Sequence, residues 1–309
     1  PAVARLVEAR ASERTIVNVN LVGEVVLGEE DARVRAALYE KLVLETPAAA
    51  VSIKLSSITS RIALADREGT VRRLSPRLSS IYRAAMHRSP HVLVNLDMES
   101  FDDLDFTFEL HRRFSEDREF DALTTGVVLQ AYLPDVHARY EALLDLATRR
   151  VARGGAPLRV RLVKGANLSM ERHLASIRGF PLPIHASKAD TDASFVALVE
   201  RALRPENARV LRVGVASHNL FDLAFTLVLR AEQGVAEYVT IEMLDGMADP
   251  LRRVIASLAG PVLVYAPVVS ESEFDAAIAY LVRRLEEATA PGHHLRESFT
   301  MARDDPHYA

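Results

Sequence analysis

The chain of 309 residues contains no cysteine. Disulfide bonds, thiolate nucleophiles and cysteine-ligated zinc or iron–sulfur centres are therefore excluded. The longest apolar runs are only as long as a β-strand, so no segment is predicted to span a membrane. The net charge is -4 with both signs interspersed. This charge pattern argues against nucleic acid or an anionic membrane as the main partner.

Sequence motifs of several common enzyme classes are also missing. No G-x-G-x-x-G follows a predicted strand and no G-x-x-x-x-G-K-[ST] occurs, which argues against a Rossmann dinucleotide site and a P-loop. Neither H-E-x-x-H nor G-x-S-x-G is present. The chain does have a hydrophobic fraction of 49%, enough for a large core. Its length permits two domains, but α/β barrels of this size are commonly single units.

Short β-branched runs alternate with longer helical patterns along nearly the whole chain. The predicted strands are Ile16–Leu21, Val51–Leu55, His91–Asp97, Thr125–Gln130, Leu158–Val163, Val210–Val215, Tyr238–Glu242 and Val262–Tyr265. The predicted helices are Glu30–Glu45, Pro76–His87, Phe101–Phe114, Pro134–Ala152, Asp190–Leu203, Phe221–Gln233, Ala248–Leu258 and Ser272–Thr289. This alternation predicts the α/β class and a (β/α)8 barrel, with a doubly wound open sheet as the alternative. The intervals Arg61–Leu74 and Leu168–Ser187 are predicted to be functional loops or small extra helices.

The predicted strands have one apolar face and one face that becomes polar towards the C-terminal end. In the second strand, Val51 and Ile53 alternate with Ser52 and Lys54. The same alternation places the following polar residues on one side of their strands: Asn18, Asn20, Asn95, Asp97, Gln130, Arg161, Thr240, Glu242 and Tyr265. Because active sites of (β/α)8 barrels lie at the C-terminal ends of the strands, these side chains are predicted to surround a site there.

The last predicted helix has an unusual polar face. Tyr280, Arg283, Arg284 and Glu287 lie opposite an apolar stripe. The pattern fits either a solvated helix face or a clamp for a small carboxylate, which guanidinium groups bind through charge-assisted hydrogen bonds. The barrel is expected to occupy residues 1–293, and the aperiodic residues 294–309 a loose tail. Because the chain starts at Pro1 and not at methionine, we expect it to be either a trimmed chain or a piece of a longer protein.

Six motifs in the same order resemble the proline dehydrogenase family, in particular the proline dehydrogenase domain of bacterial bifunctional proline-utilisation flavoproteins. They are Ser52–Ser56, Asn95–Glu99, Leu129–Leu133, Arg161–Ala166, Tyr265–Val268 and Tyr280–Leu285. The resemblance implies a distorted (β/α)8 barrel that binds FAD, with the last helix over the barrel mouth. It also implies oxidation of L-proline, or similar carboxylates, to Δ1-pyrroline-5-carboxylate, with electrons passing to a quinone. A cytoplasmic protein, peripheral to the inner membrane face and continuing into an aldehyde dehydrogenase domain, is implied as well.

The resemblance assigns roles to individual residues. The substrate carboxylate is assigned to Lys54, Arg283 and Arg284, and the rest of the substrate pocket to Asp97, Ala166, Leu244, Tyr265 and Tyr280. Arg161 matches the arginine beside the flavin N5, and further flavin contacts match Asp97, Gln130, Lys164, Gly165, Ser217, His218 and Glu287. Glu24 matches an acidic residue that pairs with Arg284 as a gate. The predicted catalytic group is Lys54, Asp97, Arg161 and Arg284, and no metal ligand is predicted.

Two observations keep alternatives open. Where many family members have Tyr-Trp, this chain has Asn167 and Leu168, so an aromatic wall of the pocket is replaced. A flavin-binding fragment without turnover is therefore one alternative. Lys54 and Lys164 provide the other, because a lysine in a barrel mouth is a candidate for Schiff-base chemistry in a lyase.

Overall fold

A computed structural model describes residues 2–22, 26–98, 101–165 and 167–269, together with Ile278, Leu281, Val282 and Leu285. The strands are β1 (Thr15–Leu21), β2 (Ala50–Lys54), β3 (Leu93–Asp97), β4 (Thr125–Gln130), β5 (Leu158–Val163), β6 (Leu211–Ala216), β7 (Val239–Leu244) and β8 (Val262–Val268). All pairs of neighbours are parallel, and β8 pairs with β1, which closes the sheet into a barrel. The predicted (β/α)8 fold is confirmed, and the open-sheet alternative is wrong.

Helices connect the strands along the outside of the barrel. They are α1 (Ala2–Ala11), α2 (Glu29–Glu45), α3 (Arg67–Met86), α4 (Phe101–Glu116), α5 (Val136–Ala152), α6 (Leu168–Arg178), α7 (Lys188–Ala202), α8 (Pro205–Ala208), α9 (Leu220–Glu232) and α10 (Asp249–Ala259). Short 3₁₀ turns occur at Leu55–Ser57, Leu64–Asp66, Arg118–Phe120 and Ala236–Tyr238. No described helix combines the length and the hydrophobicity that a membrane span requires.

The core lies between the barrel wall and the helices. Outward-facing strand residues such as Val19, Ile53 and Val213 are fully buried against the helices. Burying each such side chain contributes about 1.5–3 kcal/mol before the entropy of ordering the chain is subtracted. Between these residues, the alternate positions point into the barrel, where Asn18 and Ser52 are equally buried. The barrel interior is therefore polar, although the core around it is apolar.

Helix α3 begins nine residues earlier than the sequence predicts. A proline is commonest in the first turn of a helix, which is why the prediction started at Pro76. In the structure the Asp66 side chain accepts a hydrogen bond from the Gly69 backbone N–H and caps the helix start, and Pro76 lies inside the helix. The burial of Val71 and Leu74 holds this added first half against the core. The interval 61–74 is therefore mostly helix, whereas α6 confirms the extra helix predicted within 168–187.

Two short helices, α1 and α8, were not predicted, because ten and four residues are too short for a clear periodicity. The last predicted helix, 272–289, lies almost entirely outside the described residues. Ile278, Leu281, Val282 and Leu285 are helical. The position of this helix over the barrel mouth and the domain limit at residue 293 stay predictions.

Candidate active site at the barrel mouth

Neighbouring strands place the first two candidate residues side by side. Lys54 ends β2 and Asp97 ends β3, and the two are partners in the strand register. Leu244 at the end of β7 is likewise the register partner of Tyr265 on β8. All four side chains thus lie on the inward-facing side of a parallel barrel, near the C-terminal ends of their strands. This part of the site follows from strand parity and register.

Arg161 on β5 is the centre of the polar interior. Its Nε donates to Oε2 of Glu242 at 2.6 Å. Its Nη1 donates to Oδ1 of Asp97 at 2.8 Å and to the Ser52 hydroxyl at 3.2 Å. Its Nη2 makes no hydrogen bond to any residue that the structure describes. The guanidinium is thus fixed on two sides and its Nη2 has no partner among the described residues, although the residue is only 6% exposed.

Charge pairing keeps Arg161 and Glu242 ionised within the barrel. Burial lowers the pKa of Arg161, but Glu242 and Asp97 outweigh burial, so its pKa lies above the ordinary arginine value. For Glu242 burial raises the pKa, and the charges of Arg161 and Arg159 more than offset it, so its pKa lies below the ordinary glutamate value. Both shifts favour the charged form of the group.

Asp97 shares its carboxylate among three donors. Oδ1 accepts from Arg161 and, at 3.0 Å, from the Asn95 amide, and Oδ2 accepts from the Tyr265 hydroxyl at 2.7 Å. The Tyr265 ring also faces the Arg161 guanidinium, with 5.4 Å between the guanidinium carbon and the ring centroid. A carboxylate engaged in this way is suited to holding its neighbours in place rather than to removing a proton. Asp97, Arg161 and Tyr265 thus form one connected unit.

Lys164 follows β5 and is enclosed by acidic groups. Its Nζ lies 2.7 Å from Asp192 of α7 and 2.9 Å from Asp222 of α9. It also faces the Phe195 ring at 5.4 Å. Ser217 donates to Oδ2 of Asp222 at 2.8 Å, which brings two of the predicted cofactor contacts into one cluster. A substrate carbonyl would have to displace this ion pair, which argues against Lys164 as a Schiff-base lysine.

Gly165 and Gln130 border the same part of the mouth. Gly165 has φ +143°, and a Cβ at this position would lie 2.6 Å from the Tyr132 ring, so only glycine fits. Gln130 at the end of β4 is 4% exposed. Among the described residues its side-chain amide has no hydrogen-bond partner. The amide is therefore available to a ligand at the barrel mouth.

His218 lies in the loop after β6. Its Nε2 accepts a hydrogen bond from the Leu244 backbone N–H at 3.2 Å, which places its ring proton on Nδ1. The remaining predicted residues, namely Glu24, Ala166, Tyr280, Arg283, Arg284 and Glu287, lie outside the described residues. Within the described part of the chain, no cluster of acidic and histidine side chains is suited to a metal ion.

Sequence reasoning assigned no role to two buried charges that the structure places beside Arg161. Arg159 and Glu242 are 8% and 2% exposed and bond to each other at 2.7 Å. Glu242 had been recognised only as an inward-facing polar residue. Arg159 has the same parity as Arg161 on the same strand, so the alternation could have identified it.

Comparisons with known proteins agree with this architecture. The family model described as proline dehydrogenase matches residues 3–297. The structure of proline utilization A from Corynebacterium freiburgense superposes with a TM-score of 0.89 at 41% identity, covering 97% of this chain and 31% of that one. The protein from Bdellovibrio bacteriovorus, solved after inactivation by N-propargylglycine, gives a TM-score of 0.87 at 30% identity, covering 96% of this chain and 32% of that one.

Bifunctional protein PutA of Klebsiella aerogenes is 29% identical over 286 residues, which covers 87% of this chain. The chain therefore spans about a fifth (21%) of the length of this curated relative.

Proposed function

The chain belongs to the proline dehydrogenase family, a family of flavoenzymes, and we propose that it binds FAD and oxidises L-proline to Δ1-pyrroline-5-carboxylate. The observation that carries the proposal is the Arg161 unit, a buried cation clamped by Asp97 and Glu242 with its Nη2 arm unpaired. We further propose that a quinone takes the electrons and that the reaction belongs to proline catabolism. The second activity of the bifunctional relatives is a proposal for the longer protein only.

The residues of the mouth fit a flavin. The unpaired Nη2 of Arg161 and the unpaired amide of Gln130 would donate to the acceptor edge of the isoalloxazine ring. Lys164, Gly165, Ser217 and His218 surround the end of β5 and β6, where the rest of the cofactor would lie. When bound, the flavin supplies a two-electron acceptor, and the protein supplies positioning and electrostatics.

The substrate's own chemistry defines what the residues must do. The ring carbon beside the nitrogen loses a hydride while the nitrogen lone pair forms the C=N bond, so the nitrogen must be uncharged. Lys54, together with Arg283 and Arg284 of the predicted last helix, would bind the carboxylate. Tyr265 would pack against the proline ring while its hydroxyl stays bonded to Asp97. Arg161 would stabilise negative charge as it arrives at the cofactor.

An anaerobic visible spectrum tests the proposal. The purified protein, reconstituted with FAD, should show a flavin absorbance that L-proline bleaches and D-proline does not. Reoxidation by a soluble quinone analogue would support the proposed acceptor. Protein that stays colourless with FAD would refute the proposal, and flavin that binds but is never bleached would indicate a fragment without turnover. Borohydride trapping of a substrate on Lys54 in flavin-free protein would support the lyase instead.

A further inference from the structure

Glu242 bridges two arginines inside the barrel. Its Oε1 accepts from Nη2 of Arg159 at 2.7 Å, and its Oε2 accepts from Nε of Arg161 at 2.6 Å. The second amino group of Arg159 lies 3.4 Å from the Thr240 hydroxyl. Both carboxylate oxygens of Glu242 are thus used, and the residue is buried. A carboxylate shared in this way couples Arg159 to Arg161.

The neighbouring strand leaves room for this bridge by having a glycine. A Cβ on Gly214 of β6 would lie 1.9 Å from Oε1 of Glu242 and 2.9 Å from Nη2 of Arg159. Any larger residue at position 214 would therefore push the carboxylate away from both arginines. The bridge depends on three strands, β5, β6 and β7, which indicates a specific arrangement rather than a chance surface pairing.

The bridge also determines which part of Arg161 reaches the mouth. Glu242 holds Nε on one side, and Asp97 with Ser52 holds Nη1 on the other. These hydrogen bonds leave Nη2 as the only guanidinium nitrogen of Arg161 without a partner among the described residues. If Glu242 lost its charge, Arg161 would keep one anionic neighbour in place of two, and Arg159 would become an uncompensated buried cation.

The charges facing this unit balance one another. Within the described barrel interior, Arg159 and Arg161 are matched by Asp97 and Glu242, and Lys54 lies beside Asp97 as its register partner. Interactions between buried charges are screened far less than those at the surface. Removing one member of the set should therefore change the electrostatic potential at the mouth, in a direction given by the sign of the charge that is lost.

We propose that Glu242 and Arg159 are positioning residues that orient Arg161 and set the potential at which the bound flavin accepts electrons. The inference rests on the proposed flavin site. Neither residue touches the cofactor or the substrate in this proposal, since both act through Arg161. The two are expected to act in opposite directions because their charges are opposite.

The test is the flavin midpoint potential, measured by reductive titration with dithionite and a reference dye, without proline. Glu242→Gln removes a negative charge and should shift the potential to a more positive value. Arg159→Met removes a positive charge and should shift it to a more negative value, and Arg159→Lys should leave it close to wild type. Glu141→Gln, which disrupts the exposed Arg201–Glu141 pair, is the matched control and should cause no shift.

Shifts of the same sign, or none, in variants that bind FAD would overturn the inference. If Glu242→Gln does not fold, the two Arg159 variants still decide it, because they differ in charge at the same position. Wild-type protein that binds FAD but is not reduced by L-proline would refute the proposed activity, while the potentials would still test the inference. Protein that binds no FAD at all would refute both.

Discussion

Replacing Gly165 with alanine should destabilise the protein by about 2–6 kcal/mol. The backbone at Gly165 has φ +143°, a region that residues with a side chain rarely adopt, at an expected cost of about 1–3 kcal/mol. The new methyl group would also lie 2.6 Å from Cγ and Cδ2 of the Tyr132 ring. Forcing an extra carbon into a packed site costs a further ~1–3 kcal/mol.

Tyr132 has little freedom to move away. Its backbone N–H donates to the Lys164 carbonyl at 2.8 Å, and its own carbonyl accepts from the His185 N–H at 2.7 Å. The ring is also buried, with 5% of the residue exposed. The overlap should therefore shift the 164–165 backbone and weaken FAD binding, because the same segment borders the proposed cofactor site.

Urea denaturation of Gly165→Ala and three comparison variants separates the backbone contribution from the packing contribution. Gly154→Ala is the control, since Gly154 has φ +90° with no atom within 4 Å of the added Cβ, and it should cost only the backbone share of about 1–3 kcal/mol. Tyr132→Ala alone and combined with Gly165→Ala complete a double-mutant cycle, in which the overlap appears as a coupling of about 1–3 kcal/mol. A Gly165→Ala variant no less stable than Gly154→Ala would refute the packing argument.

Three further changes test other parts of the molecule. Lys54→Met should raise the KM for proline about 10- to 100-fold, with FAD still bound, because the substrate carboxylate loses one charge-assisted hydrogen bond. Lys41→Met on the exposed face of α2 is the control and should leave the KM unchanged. An equal effect of the two substitutions would contradict the assignment of Lys54 to the carboxylate. Tyr265→Phe should lower the free energy of unfolding by about 1.5–3 kcal/mol, because the Asp97 carboxylate loses a donor, and unaltered stability would show that the hydroxyl contributes nothing. Burial holds the pKa of His111 at about 4 in the folded protein, below its ordinary 6.5. Between these two values the unfolded chain binds a proton at His111 that the folded protein does not, so the folded state loses stability as the pH falls from 6.5 towards 4. The loss between pH 7 and pH 5 is about 2 kcal/mol. Urea denaturation of the wild type and of His111→Gln at the two pH values should show this loss in the wild type only.

The barrel and its mouth were predictable because both follow from local patterns. A period of two along each strand separates the wall residues from the inward-facing ones, and parallel strands bring their C-terminal ends together. Asp97, Arg161 and Tyr265 could thus be placed in one site before any contact was known. The start of α3 was less predictable, because the Asp66 cap and the Pro76 signal compete and only tertiary packing of Val71 decides between them.

Pairing between inward-facing charges was not predictable. Arg159 and Glu242 are 83 residues apart in the chain, and which charges meet depends on the register of three strands and on the space above Gly214. The ion pairs of Lys164 were unpredictable for the same reason. The sequence left it open as a catalytic lysine, and the carboxylates that enclose it come from α7 and α9, whose approach to β5 no local pattern specifies.

The distribution of charge implies that the residues at the rim of the barrel mouth and the buried residues below them have different roles. Inside the barrel, the charges of Arg159 and Arg161 are balanced by Asp97 and Glu242, so these described groups together offer no net attraction to an arriving anion. Lys54 on β2, the register partner of Asp97, adds a further positive charge at this end of the barrel. Recruitment of a carboxylate should therefore depend on the rim, where the predicted Arg283 and Arg284 would add to Lys54. The buried set should instead govern electron transfer, so rim substitutions should mainly change KM and interior ones mainly the flavin potential.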